Sequence, residues 1–190
     1  MKFFLVTSLV AFSLSLLGCG SVQPTSLSTA DTGFVAGDGT SVLLAKAERK
    51  LAPEIAETTF SNNQFKLSEQ IGNVVVINVW GSWCAPCRAE AKELADLDRE
   101  FRDQEVVFLG LNTRDSRAAA QNFIDRFTIE YENIEDQSGK ILLEFKETLA
   151  PNAIPTTLVL DKEGKVAARI LGPADISLLR GFVTKLLEEV

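Results

Sequence analysis

The segment VVVINVWGSWCAPCRAE, residues 74–90, decides the fold, because an apolar run is followed at once by two cysteines three positions apart. Residues 74–80 are mainly β-branched, which is typical of a strand that is buried on both faces. Pro86 suits the first turn of a helix, where its missing N–H removes no hydrogen bond. The segment therefore predicts a buried strand and then a helix, with both cysteines where the strand gives way to the helix.

The residues that follow this junction predict a βαβ unit. Residues 106–112, VVFLGLN, form a second apolar run and predict another buried strand. Between the two strands, apolar residues recur at helical spacing at Ala91, Leu94, Leu97 and Phe101. A strand, a helix and a strand in this order make a parallel pair of strands.

The rest of the chain predicts further helices and two hairpins. Ser116 can cap a helix, and residues 139–146 predict a short one. Residues 156–160 and 166–171 are joined by DKEGK and predict a hairpin. The capped helix has an apolar face made of Ala120, Phe123, Ile124 and Phe127. A last helix has an apolar face made of Leu179, Phe182, Val183, Leu186, Leu187 and Val190. This order describes the thioredoxin fold, an α/β fold with a central mixed sheet flanked by helices, here with an added N-terminal β-hairpin at residues 55–67 that turns at residues 61–63.

The composition describes a globular domain and restricts its chemistry. Of the 190 residues, 46% are hydrophobic and 24% are charged, and the net charge is −7. This charge argues against nucleic acid and anionic lipid headgroups as partners. The chain contains no histidine, which excludes Ser/His and Cys/His catalysis and removes the commonest transition-metal ligand.

The first forty residues predict an export signal and a tether. Lys2 precedes an uncharged apolar stretch of about 15 residues, which fits a signal-peptide core and is short for a membrane span. The stretch ends in LLGC, which resembles the lipobox of bacterial lipoproteins. Residues 1–18 are thus predicted to be a lipoprotein signal peptide, Cys19 the lipidated residue, residues 19–40 a flexible tether and residues 41–190 the thioredoxin-like domain. The alternative is an ordinary signal peptide that is cut a few residues later, with Cys19 incidental.

Two interpretations of the Cys84 and Cys87 pair are disfavoured. A structural zinc site needs four ligands. With no histidine and only Cys19 left over, such a site would need two carboxylates. A static disulfide between residues so close in sequence stabilises a protein by roughly 2 kcal/mol, which a domain of this size does not need.

The third interpretation is a reversible redox centre, and we favour it. Cys84 would lie at the helix N-terminus, where unpaired amides and the helix dipole favour thiolate over thiol. Cys87 lies one turn further along and would be less exposed. Cys84 is therefore the predicted nucleophile and Cys87 the resolving thiol. Trp80 and Trp83 would bracket the site with apolar surface, although either could simply be core.

The segment at residues 74–90, the AIPTTLVLDKEGK stretch at residues 153–165 and the order of elements resemble the TlpA/ResA-like branch of the thioredoxin superfamily. The resemblance covers residues 52–172. It implies a membrane-tethered, extracytoplasmic thiol–disulfide oxidoreductase, and many members of the branch are reductants in cytochrome c maturation. The branch often has a proline at the position of Lys92, so the helix is expected to be straighter here. Asn78 replaces a buried aspartate of thioredoxin itself, and we interpret it as a structural amide that must find hydrogen bonds.

The resemblance also implies further site residues. Glu90 corresponds to a glutamate that influences cysteine ionisation, and it would exchange a proton with Cys87. Without the resemblance, a glutamate near a helix start is more often only solvated. Pro155 corresponds to a cis-proline that faces the disulfide and offers backbone to the substrate, and Ile154 would then contact the cysteine pair. Trp83 is assigned with them to the substrate-facing surface.

The expected reaction is thiol–disulfide exchange with a protein disulfide, in the reducing direction, on the extracytoplasmic face of the cell membrane. A membrane thiol reductase would restore the dithiol, and no flavin, nicotinamide or metal is needed in the chain. Three alternatives stay open. The first is an oxidant of secreted proteins, against which the chain lacks a large helical insertion. The second is a non-catalytic partner-binding lipoprotein, in which Cys84 would have an ordinary pKa. The third is a peroxidase, in which a threonine would stand where this chain has Gly81.

Overall fold

The computed structural model describes residues 41–146 and 154–189. The predicted signal peptide, the tether and Cys19 lie outside these residues. In the described part, the strands are β1 (Ser41–Leu43), β2 (Lys50–Leu51), β3 (Ala56–Thr58), β4 (Gln64–Lys66), β5 (Val74–Trp80), β6 (Val106–Thr113), β7 (Glu132–Asp136), β8 (Thr156–Leu160) and β9 (Lys165–Leu171). The α-helices there are α1 (Ala85–Phe101), α2 (Arg117–Phe127), α3 (Lys140–Glu144) and α4 (Ile176–Glu188). None of these described helices is both long enough and apolar enough to span a bilayer.

The central sheet is mixed, as predicted. Its strand order is β1-β9-β8-β5-β6-β7, and β2 also pairs with β9. β5, β6 and β7 run parallel to one another, whereas β8 is antiparallel to both β5 and β9. Thr156 at the start of β8 lies opposite Val79 near the end of β5. The chain that enters β8 therefore lies at the same end of the sheet as the cysteines.

The central strand β5 separates two cores. All seven of its residues are buried, and successive side chains of a strand point to opposite faces. On one face, Val74, Val76 and Trp80 pack with α1, α2 and α4. On the other face, Val75, Ile77 and Val79 pack with α3 and the N-terminal hairpin. The prediction of a strand buried on both faces is confirmed, and so is the apolar stripe of α1.

The helix caps and hairpin turns follow the local sequence. Ser116 Oγ accepts a hydrogen bond from Ala119 N at 3.3 Å and caps α2, as predicted. The β3–β4 hairpin turns through Asn62 and the β8–β9 hairpin through Gly164, with φ of 64° and 76° in the left-handed region. The short predicted helix at residues 139–146 is found as the slightly shorter α3. α1 runs without interruption past Lys92.

Strands β1, β2 and β7 are not among the predicted elements. β7 has the sequence ENIED, which carries acidic residues at both ends and no apolar run, but it pairs along β6 through five residues. Its other edge is covered by the hairpin, since Phe60 N–H donates to Asn133 O at 2.8 Å and Thr59 pairs with Ile134. β1 and β2 cover β9 in the same way. The segments before β5 therefore cover both edges of the sheet, which protects the strands from pairing with other chains.

Candidate active site

The two cysteines form a disulfide at the start of α1. Cys84 is the N-cap residue, and its Sγ accepts a hydrogen bond from Cys87 N at 3.1 Å. The S–S distance is 2.02 Å. Cys84 is 4% exposed and Cys87 1% exposed, so Cys87 is the more deeply buried of the two, as expected. The N-terminal end of a helix carries unpaired N–H groups and a positive dipole end, and Cys84 lies at that end of α1.

The two tryptophans have different roles in the structure. Trp80 is buried, donates from Nε1 to Asn133 Oδ1 at 2.9 Å and stacks on Phe123, so it belongs to the core. Trp83 is 50% exposed beside the disulfide. Its ring lies so close to Gly81 that a Cβ at position 81 would fall 2.5 Å from Trp83 Nε1. Gly81 therefore leaves room for an apolar side chain at the surface next to Cys84.

The Ile154-Pro155 peptide bond is cis, as the resemblance implies. Pro155 is buried and immediately precedes β8, so the β5–β8 register places it at the end of the sheet from which Cys84 leaves. The carbonyl of Pro155 accepts a hydrogen bond from Gly172 N at 2.9 Å. Ile154 is partly buried and packs against the core cluster that contains both cysteines. The chain before β8 is thus brought to the disulfide end of the sheet.

Glu90 lies one helical turn after Cys87 on the buried face of α1. It is 3% exposed, and its two carboxylate oxygens accept hydrogen bonds from Asn78 Nδ2 at 3.0 Å and from Ala174 N at 2.7 Å. Burial raises the pKa of Glu90 and outweighs these two hydrogen bonds, which lower it. The side chain is therefore a buried acid that keeps its proton to a higher pH than an exposed glutamate does.

Asn78 finds the hydrogen bonds that its burial demands. Its Nδ2 donates to Glu90 Oε1 and to Thr157 Oγ1, the second at 3.3 Å. The prediction of a structural amide holds, but the amide belongs to the site because it holds the carboxylate of Glu90. Three elements, β5, α1 and β8, meet at this network.

Asp115 is a site residue that the sequence did not single out. It lies after β6 and is 8% exposed. Its Oδ2 accepts from Ser82 N at 2.6 Å, and its Oδ1 accepts from Ser82 Oγ at 2.9 Å. Burial alone would raise its pKa, but hydrogen bonds from Ser82, Asn112 and Ser116 lower it overall, so the carboxylate is ionised. No local signal could have found this residue, because its main partner lies 33 positions away in the sequence.

Together these residues form a site for two-electron sulfur chemistry. A disulfide at a helix N-terminus is reversibly reducible, and the buried acid Glu90 lies one helical turn behind it. Within residues 41–146 and 154–189, no three His, Cys, Asp or Glu side chains are grouped so that they could hold a metal ion.

Comparison with known proteins agrees with this description. Residues 49–169 match the AhpC/TSA family. The thiol-disulfide oxidoreductase ResA of Bacillus cereus is 27% identical over 137 residues, which are 72% of this chain and 77% of that protein.

Two solved structures of similar proteins cover more of the chain. A secreted thiol-disulfide isomerase from Corynebacterium glutamicum is 31% identical with a TM-score of 0.74, and the match covers 84% of this chain and 99% of that one. A DsbF homologue from Corynebacterium diphtheriae is 29% identical with a TM-score of 0.70, over 82% and 99% of the two chains.

Proposed function

We propose that this chain, which belongs to the AhpC/TSA family as a TlpA/ResA-like thiol–disulfide oxidoreductase of the thioredoxin superfamily, reduces disulfide bonds of proteins outside the cytoplasm. One observation carries the proposal. Cys84 and Cys87 are bonded to each other at the start of α1, with the buried acid Glu90 one turn behind them. This arrangement supplies a stabilised thiolate, a resolving thiol and a proton acceptor in sequence along one helix.

The first step is attack on the client. The Cys84 thiolate attacks one sulfur of a client disulfide, so that a Cys84–client disulfide forms and the second client sulfur leaves as a thiolate. The client approaches over the surface made by Trp83 and the Ile154-Pro155 segment. The Pro155 carbonyl already accepts one hydrogen bond from Gly172 N–H, and the backbone of Ile154 and Pro155 is the part of this surface that is offered to the client.

The second step releases the product. Glu90 takes the proton from Cys87, and the resulting thiolate attacks Cys84 Sγ. The Cys84–Cys87 disulfide forms, and the client sulfur leaves as a thiolate that takes up a proton from solvent. The client gains two electrons and the protein loses them, so a membrane thiol reductase must return the site to the dithiol before another turnover.

Several observations support the proposed reducing direction and the proposed cellular setting. In the part of the chain that the structure describes, the α-helices are α1 to α4, and none of them forms a large helical insertion of the kind that oxidants use for unfolded clients. The C. glutamicum relative is described as secreted, which supports an extracytoplasmic location. The LLGC sequence at residues 16–19 supports a lipid anchor on Cys19. Since many members of the branch serve cytochrome c maturation, a cytochrome c precursor is the proposed client.

The reduction potential of the Cys84–Cys87 couple tests the direction. The protein is equilibrated in dithiothreitol or glutathione buffers, and the fraction of dithiol is measured. A potential near or below that of thioredoxin, about −270 mV, is expected for a reductant. A potential near about −120 mV would instead assign an oxidant that introduces disulfides.

A pair of serine variants tests the order of the two cysteines. Cys87→Ser removes the resolving thiol, so the mixed disulfide with a protein client is expected to accumulate on non-reducing gels. Cys84→Ser is the matched control and is expected to trap nothing. If the reduced wild-type Cys84 alkylates with the pH profile of an ordinary free thiol, catalysis is overturned and a partner-binding protein remains.

A further inference from the structure

The loop between β5 and α1 is held at one residue, Ser82. Its N–H and its hydroxyl both donate to Asp115, at 2.6 and 2.9 Å. Its carbonyl accepts a hydrogen bond from Arg88 Nη1 at 2.7 Å. All three polar groups of Ser82 are therefore engaged, two positions before the nucleophile Cys84.

Asp115 is itself held in place by its neighbours in the chain. Its carboxylate also accepts hydrogen bonds from Asn112 Nδ2 at 3.1 Å and from Ser116 N at 2.9 Å. Arg114, just before it, has a left-handed φ of 53°, which turns the chain out of β6 toward Ser82. The carboxylate thus has four donors and little freedom to move, as is required of a group that orients another residue.

The turn after β6 also supports the exposed tryptophan. Trp83 Nε1 donates to Thr113 O at 3.4 Å, and the ring covers Gly81. Trp83, the residue after Ser82, is therefore bonded to the last residue of β6, two positions before Asp115.

We propose that Asp115 is a positioning residue of the disulfide site, which acts through Ser82 to keep Cys84 at the N-terminus of α1 and Trp83 in place as a surface for the client. The inference rests on the proposed function, since it assigns a role within the same reaction. Asp115 acts on the backbone of the loop and takes no part in sulfur exchange.

Two substitutions of Asp115 separate positioning from charge. Asp115→Asn keeps an acceptor for Ser82 N–H and a donor for Ser82 Oγ and loses only the bond from Ser116 N–H, whereas Asp115→Ala removes all four bonds, including both to Ser82. With insulin disulfides as the probe substrate and dithiothreitol as the reductant, we expect kcat/KM to fall about thirtyfold in the Ala variant and about threefold in the Asn variant. The larger loss is expected because both hydrogen bonds that hold Ser82 are absent in the Ala variant. Equal losses in both variants would show that the charge matters rather than the position, and would overturn the proposal.

Two measurements without a client make the test independent of the proposed function. Acrylamide quenching reports mainly on Trp83, because Trp80 is buried, and the pH profile of iodoacetamide alkylation reports on Cys84 in the reduced protein. We expect Asp115→Ala to increase the quenching and to change the alkylation profile at a temperature where the variant is folded. A folded Ala variant with wild-type values of both would overturn the proposal. If the wild-type protein fails to reduce insulin, the proposed function fails, while the two measurements still decide the role of Asp115.

A smaller change to the same contact is Ser82→Ala, and a matched control is available at Asp161. Ser82→Ala removes the hydroxyl bond and leaves the backbone bond to Asp115 in place, so it tests the proposal if Asp115→Ala does not fold. We expect the quenching of Trp83 to increase, but by less than in Asp115→Ala. Wild-type quenching in Ser82→Ala would overturn the proposal. Asp161→Asn is the control, because Asp161 is also buried and accepts two backbone N–H bonds, but at the far end of β8. It is expected to lower the stability without changing the quenching.

Discussion

Replacing Asn78 with aspartate would place a second carboxylate against Glu90 in a buried site. Asn78 Nδ2 lies 3.0 Å from Glu90 Oε1. With a carboxylate oxygen in place of Nδ2, two negative charges at this separation repel each other by about 5.5 kcal/mol at an effective dielectric constant of about 20. At about 1.4 kcal/mol per pH unit, this is enough for the pair to keep one shared proton at neutral pH.

The shared proton makes the stability of Asn78→Asp depend on pH. In the unfolded chain both carboxyl groups are ionised above about pH 5, whereas the folded pair keeps one proton. The folded state then binds more protons, so the free energy of unfolding falls by about 1.4 kcal/mol for each pH unit as the pH rises. The wild-type protein shows such a slope only up to the raised pKa of Glu90, which is raised mainly by burial. In the variant the slope is expected to continue to higher pH.

Urea unfolding at a series of pH values measures this slope. The matched control is the double variant Asn78→Asp with Glu90→Gln, which keeps one carboxylate and gives it an amide donor. We expect the extra pH dependence in the single variant and its loss in the double variant. If the single variant follows the wild-type slope up to about pH 8, the charges are solvated more strongly than the burial of Asn78 and Glu90 implies, and the reasoning is refuted.

Three further substitutions test the site and the core. Glu90→Gln removes a group whose folded pKa is raised above its ordinary value of 4.5, mainly by burial, so the unfolding free energy of the variant relative to the wild type should increase as the pH rises through that raised pKa. Release of a trapped mixed disulfide should also slow, and an unchanged release rate would contradict the proton role. Arg49→Met leaves the buried carboxylate of Asp161 without its cation and should lower the unfolding free energy by about 3–5 kcal/mol. In the control Arg180→Met the broken ion pair is exposed, so the loss should be about 1 kcal/mol or less, and similar losses of the two variants in urea unfolding would contradict this reasoning. Phe123→Ala removes the ring that stacks on Trp80 with ring centroids 4.3 Å apart, and it should lower the unfolding free energy measured by thermal unfolding by about 3–5 kcal/mol. A loss below about 1 kcal/mol would mean that the core closes over the cavity.

The local elements around the cysteines could be predicted because short-range physics determines them. The apolar run of β5 can be satisfied only by burial on both faces, and all of its residues are buried. A helix can begin at Cys84 because Pro86 needs no N–H partner, and the apolar stripe of α1 then selects its buried face. Each of these features depends on residues within a few positions of one another, so the sequence alone contains the information.

The polar part of the site depends on contacts between distant segments. Glu90 becomes a buried acid only because Asn78 in β5 and the backbone of Ala174 before α4 meet it. Asp115 meets Ser82 because the parallel pairing of β5 with β6 brings the ends of both strands together. A single polar residue has the same local sequence signal whether it is solvated or buried, since its hydrogen-bond partners are chosen by the packing of the whole chain.

The sequence by itself determined the identity of the redox pair, its place at a strand-to-helix junction and the order of the main elements. Tertiary structure alone decided that ENIED becomes strand β7, that Trp80 is core while Trp83 is surface, and that Asp115 holds the loop before Cys84. The physical reason is range. Burial patterns and caps act over a few residues, whereas strand pairing and buried hydrogen bonds join residues that are brought together only when the sheet has formed.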